Sequence, residues 1–212
     1  MSVAWKRILK GLQYSCYVIF HPFKGFWDLK HEKKGNAFSA WIMVGLLIIL
    51  LILRRQFTGF LLNFNKPNEM TVFVEIFSVL APLGLWCLSN WCITTLVDGE
   101  GSLKDIFITT VYALTPIILI NIPLLLFSNV IILEETVFYT VLDVLSILWA
   151  AMLILIGIMT VHQFTMPKTI VTIIIAVLGM VIMLFLILLF VSIVQQIVSF
   201  VNLLWTEMSM RR

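Results

Sequence analysis

Charge is what this chain has least of. Asp, Glu, Lys and Arg supply 12% of its 212 residues, and hydrophobic residues supply 61%. Soluble domains average about 25% and about 45–50%. A water-soluble fold could not cover that much apolar surface, so the composition excludes a separate soluble domain. Cysteine is scarce too. Cys87 and Cys92 fall on one predicted helix and point in different directions, and with Cys16 they lack zinc-ligand spacing. They are expected to be small packing residues. The three histidines, His21, His31 and His162, lack ligand spacing and are expected to be exposed at an interface. There is no His-Glu-x-x-His, no Gly-x-Ser-x-Gly and no phosphate-binding glycine loop. No enzyme, catalytic residue, metal or cofactor is therefore expected. The net charge of +3 gives no footprint for nucleic acid. The first strong apolar run begins near Ala37 without a small-residue cleavage site, so a removable leader is not expected.

What is present in abundance is long apolar runs, several beyond the roughly 18 residues that mark a membrane helix. The fold class expected is all-α: a polytopic bundle of five transmembrane helices, flanked by an N-terminal amphipathic helix and a C-terminal amphipathic extension. Spans are predicted over about 37–53, 71–97, 105–128 and 137–161, with a fifth helix from about 169. The organising stretch is Trp86 to Pro116, two apolar helices joined by the turn Asp98-Gly99-Glu100-Gly101-Ser102. So short a loop makes its helices antiparallel neighbours. Gly99 and Gly101 permit the reversal, and Ser102 with Asp105 forms a capping box. A cation site among Asp98, Glu100 and Asp105 is the weaker reading of the same turn.

Three parts are expected: 1–36, cytoplasmic; 37–200, the transmembrane bundle; and 201–212, an exoplasmic helical tail. In residues 3–20 the apolar face is read as Trp5, Ile8, Leu9, Leu12, Cys16 and Ile19, with Lys6, Arg7, Lys10 and Gln13 opposite. A basic amphipathic helix suits the lipid headgroup zone. Pro22 ends it. Phe23, Phe26 and Trp27 then read as interfacial anchors among Lys24, Lys30, Lys33 and Lys34.

Charges inside the spans are the sharper clue. Asp143 lies about 9 Å along the fourth span by helix rise. A carboxylate there must be paired or wet. Arg54, Arg55, Glu75 and Asp143 fall at one depth and are expected to form a polar layer, with Asp143 paired to Arg54 or Arg55. Internal salt bridges, or a handle for another subunit, are favoured over an ion or substrate path. Pro82, Pro116 and Pro123 kink their helices, and Thr115 and Asn121 can satisfy the freed carbonyls.

The bias of basic residues puts the N-terminus inside and the C-terminus outside. Lys6, Arg7, Lys10, Lys24, Lys30, Lys33, Lys34, Lys104 and Lys168 are then cytoplasmic, and Arg54, Arg55, Lys66, Arg211 and Arg212 external. The last helix continues past the bilayer with one stripe of Ile197, Val201, Leu204, Trp205 and Met208. Its other face carries Gln195, Gln196, Ser199, Asn202 and Glu207. A lipid-bound helix would favour Lys and Arg on that face, so the stripe is expected to contact a partner protein.

Two segments, HPFKGFWDLKHEKKGN and NWCITTLVDGEGSLKDIFITTVYALTP, resemble the bacterial branch of the Yip family, Ypt/Rab-interacting membrane proteins, over about residues 17–190. The matching positions are His21, Pro22, Phe23, Lys30, Gly35, Asn90, Trp91, Asp98, Gly99, Tyr112 and Pro116. The resemblance implies five spans, a cytoplasmic N-terminus and an exoplasmic C-terminus, in a bacterial plasma membrane. It supplies no catalytic residues. The Asp-Leu-Tyr-Gly-Pro motif of eukaryotic members is missing, so a Rab role is not carried over. Bacterial relatives look like accessory proteins, some travelling with sugar importers. The function expected is a non-enzymatic accessory or scaffold subunit, with membrane lipids and other subunits, including ABC transporter permeases, as partners. The alternative is a channel or transporter working through its own bundle.

Overall fold

The computed structural model describes residues 3–59 and 71–210; side chains are described from Gly11 onward, except Leu133 and Met208. The loop 63–70 with Lys66, the apolar residues 60–62, Arg211, Arg212 and the side chains of Trp5, Lys6, Arg7, Ile8, Leu9 and Lys10 lie outside that description.

The chain folds into α1 (Val3–Phe20), α2 (Pro22–His31), α3 (Ala37–Phe57), α4 (Val72–Leu96), α5 (Leu103–Ala113), α6 (Thr115–Phe127), α7 (Thr136–His162) and α8 (Met166–Met210). Among the described residues there is no strand. Five stretches are long and apolar enough to cross a membrane: α3, α4, α5 with α6, α7 and α8. This is a polytopic helical membrane protein, because a helix satisfies its own backbone where water is absent.

The middle of the fold is α5. Ile106, Ile108, Val111, Tyr112 and Ala113 are all buried, packed with Phe26, Met43, Leu153 and Ile158 from α2, α3 and α7. Its N-terminus carries the expected capping box, with Ser102 and Asp105 each bonding the other's backbone. The third span is not one continuous helix. It breaks at Leu114, because Pro116 has no N–H to give the Tyr112 carbonyl. The Thr115 hydroxyl donates to that carbonyl instead, at 2.6 Å.

Residues 22–31 are helical, and Phe26, expected as an interfacial anchor, is fully buried. Pro22 both ends α1 and opens α2 from a first-turn position. Pro167 likewise falls in the first turn of α8, so that helix starts at Met166 rather than at 169. The face that α1 turns to the bundle is built from small residues. Gly11, Ser15, Val18 and Ile19 face the bundle, whereas Cys16 is exposed and Leu12 only half-buried. The cause is proximity. A Cβ on Gly11 would collide with Ser39 Oγ and stand 3.3 Å from the Tyr112 hydroxyl. Small residues let helices approach closely in a membrane.

The last helix runs 45 residues, about 66 Å at 1.5 Å per residue, and passes position 200 unbroken. The segment 201–210 is thus the end of the same helix. It packs chiefly along α4, where the Ser89 hydroxyl lies against the Ala176 carbonyl. Beyond Leu184 every described residue is exposed.

Candidate functional site

Two polar assemblies stand at opposite ends of the bundle. The first is built on the dipeptide Arg54-Arg55 in the last turn of α3. The Arg54 guanidinium grips Asp143 of α7 with both ends, Nη1 to Oδ1 at 2.9 Å and Nη2 to Oδ2 at 2.7 Å. Nη1 also donates to Asn121 Oδ1 of α6 at 2.8 Å. The Tyr139 ring lies 5.8 Å from the guanidinium carbon, one turn before Asp143. Asn121 in turn donates to the Ile117 carbonyl at 2.9 Å. Arg55 pairs with Glu75 in the first turn of α4. Neighbouring residues on a helix point about 100° apart, so the two arginines tie α3 to different helices.

This arrangement brings Arg54, Arg55, Glu75 and Asp143 to one level as two separate pairs, not one shared cluster. The Arg54 and Asp143 side chains are 28% and 22% exposed, so the pair is largely enclosed. A two-pronged guanidinium–carboxylate contact is the strongest of the common ion-pair geometries. Asn121 is thus more than the helper for a proline expected of it, and Tyr139 joins the layer without having been expected there. The available signal was an amide at the centre of the apolar run α6, which a membrane interior tolerates only with partners.

The second assembly sits under the turn between α4 and α5. Asp98 has a left-handed backbone, φ 57°, whereas neither Gly99 nor Gly101 has a positive φ. The glycines serve a different need from the reversal expected of them. A Cβ on either would stand 2.6 Å from the His162 ring. His162 is only 2% exposed, which corrects the expectation of an interfacial histidine. Its Nδ1 accepts from the Gly101 N–H at 3.2 Å. Lys30 of α2 closes the same corner, donating to the Val161 carbonyl at 2.8 Å and to Glu100 at 2.9 Å. Lys168 donates to the Val97 carbonyl at 3.0 Å. Nearby, Lys34 pairs with Asp28 and Glu32, and these hydrogen bonds hold its ammonium above the usual lysine range.

The Lys30 corner yields a first expectation. Lys30→Met should loosen α2, read as faster hydrogen exchange over residues 22–31. Glu100→Gln should cost under about 1 kcal/mol, because that partner is 57% exposed. Equal effects of the two substitutions would show that the carbonyl bond contributes nothing.

The remaining singled-out positions do not converge on one cavity. His21 stacks on Tyr17 at 4.9 Å and precedes α2, and Phe23 is exposed. Tyr112 is fully buried in the core, Pro116 opens α6, and Trp91 is exposed. Asn90 is also fully buried, with its amide unpartnered among the described residues. Ile197, Val201, Leu204 and Trp205 are all exposed. No group of three metal-ligating side chains occurs among the described residues.

All of these scattered positions except the α8 stripe share another property. The family model of the Yip1 domain matches residues 17–190, from the end of α1 to about the middle of α8. The chain belongs to the Yip1 family. Neither curated proteins nor solved structures provide a match. The Yip1 match thus takes in α2, the His162 corner and the Arg54 layer, and stops a few residues into the exposed end of α8.

Proposed function

We propose that this Yip1-family protein is a non-catalytic subunit that assembles with other membrane proteins through α8. The observation that carries the reading is the bareness of that helix. Only 6% of its most apolar window is buried, against 17% to 44% in the other four spans. At about 66 Å it is roughly twice the 30 Å hydrocarbon core. The stripe of Ile197, Val201, Leu204 and Trp205 therefore extends beyond the length that lipid tails can cover, on a helix whose other face is polar but scarcely basic. Sugar-importer permeases of the ABC class are the partners we favour, by family resemblance. The two enclosed ion pairs support a structural rather than a conducting role. In liposomes the purified chain should give no solute flux by itself; flux without partners would favour a transporter instead.

Truncation after Phe200 should leave the five spans inserted and abolish co-purification of the partner from mild detergent. Trp205→Ala should weaken capture, since buried tryptophans dominate many interfaces. Unchanged co-purification after truncation would overturn the docking role of α8.

We further propose that the N-terminus and the 98–102 turn are cytoplasmic and Ser209 external, from the basic bias. In a variant without native cysteines, an impermeant thiol reagent on intact cells should label Ser209→Cys and spare Ser2→Cys. The reverse pattern would invert the orientation.

A further inference from the structure

A recess of about 10 Å³ lies beside the Lys30 corner, lined by Leu29, Lys30, Asp105, Ile108, Thr109 and Val161. Three elements meet there: the last turn of α2, the first two turns of α5 and the end of α7. Leu29, Ile108, Thr109 and Val161 are buried, and Lys30 and Asp105 are half-buried. The recess is thus nearly enclosed, yet it sits at the end of the bundle where bulk water is close.

Three side chains reach it with hydrogen-bonding capacity left over. Lys30 Nζ gives one N–H to the Val161 carbonyl and one to Glu100, and an ammonium has three. The bonds that the Asp105 carboxylate accepts, from the Ser102 N–H and O–H, both end on Oδ2, so Oδ1 keeps its lone pairs. Thr109 turns its methyl toward Gly157, and its hydroxyl has no hydrogen bond among the described residues. A donor, an acceptor and a hydroxyl therefore border one small space.

Size and charge decide the occupant. A cavity needs about 10–15 Å³ and two to four polar partners to hold one water. This one has the volume and three partners. A cation would stand against the Lys30 ammonium, and a halide against the Asp105 carboxylate. Any apolar molecule is larger than water and would leave all three groups unpaired.

We infer that this recess binds a single water molecule. It accepts from Lys30 Nζ and donates to Asp105 Oδ1 and Thr109 Oγ1, so that α2 and α5 are joined through it beside the end of α7.

The test is radiolytic footprinting of the full chain in phosphatidylcholine nanodiscs. X-rays split bound as well as bulk water into hydroxyl radicals, which oxidise the side chains beside them. Leu29 and Ile108 should be oxidised well above Ile106 and Ile118, which are also buried but do not line the recess. Thr109→Val replaces the hydroxyl by a methyl of similar size and should remove that excess, whereas Thr109→Ser should keep it. Oxidation of Leu29 and Ile108 no greater than that of Ile106 and Ile118 in the wild type overturns the inference. Excess that survives Thr109→Val also does so, because bulk solvent is then the source, as does excess lost equally in Thr109→Ser. If gel filtration shows that Thr109→Val is misfolded, a wild-type density map fine enough to show ordered water decides. A peak about 3 Å from Lys30 Nζ, Asp105 Oδ1 and Thr109 Oγ1 supports the site, and no peak there overturns it.

Discussion

Asp143→Asn should lower the melting temperature in detergent by roughly 5–10 °C, corresponding to about 3 kcal/mol lost from a buried ion pair with one partner removed. The asparagine can still accept one hydrogen bond, but its charge is gone. Arg54 would keep Asn121 and the Tyr139 ring, neither of which neutralises a guanidinium. Asp143→Leu should cost more, since it also removes the acceptor. Arg54→Leu combined with Asp143→Leu should recover much of the loss, because two apolar side chains leave no orphaned charge. Arg55→Leu with Asp143→Leu should not recover it, as Arg55 belongs to Glu75. Wild-type stability of Asp143→Leu would show that the pair holds nothing together.

Gly157→Ala should destabilise by about 1–3 kcal/mol through overpacking. Its new Cβ would collide with the Thr109 methyl of α5 and stand 3.3 Å from the Phe26 ring. Thr109→Ser removes that methyl and should rescue most of the loss in the double variant, a coupling that distant sites do not show. Gly45→Ala and Gly84→Ala provide the contrast. Neither new Cβ meets an atom within 4 Å. Alanine is the better helix former by about 1 kcal/mol, so both should be neutral or stabilising. Chemical denaturation in mixed micelles would rank the four. Equal losses for Gly45→Ala and Gly157→Ala would mean that helix packing at Gly157 is loose.

The contrast between these glycines marks what the sequence could and could not convey. Apolar runs show the spans because hydrocarbon demands them regardless of neighbours. The Arg54, Arg55, Glu75 and Asp143 layer was legible for the same reason, since a charge at that depth requires a partner. Which arginine took which carboxylate was not legible, as it depends on the rotation of α3 against α4 and α7. The Ser102–Asp105 box was readable because capping is local. Burial of His162 was not, because it depends on two glycines some 60 residues earlier in the chain. The bundle-facing side of α1 was not legible, because Gly11 and Ser15 gain contact by being small and small residues leave no hydrophobic stripe. The break at Leu114 needed only Pro116 and Thr115, both visible, but a proline kink and a proline break look the same in one dimension.

The pairing of Arg54 and Arg55 also has a consequence in time. Glu75 follows Arg55 by 20 residues, whereas Asp143 follows Arg54 by 89. At synthesis rates of about 5–20 residues per second, the second partner emerges on the order of ten seconds after its arginine. A newborn α3 thus enters the membrane with one guanidinium that has no carboxylate yet made for it. During that interval Arg54 must stay wet, keeping the end of α3 at the water boundary. Arrival of α7 lets it withdraw. The clamp that closes the finished bundle is in this sense a record of the order in which its helices were born.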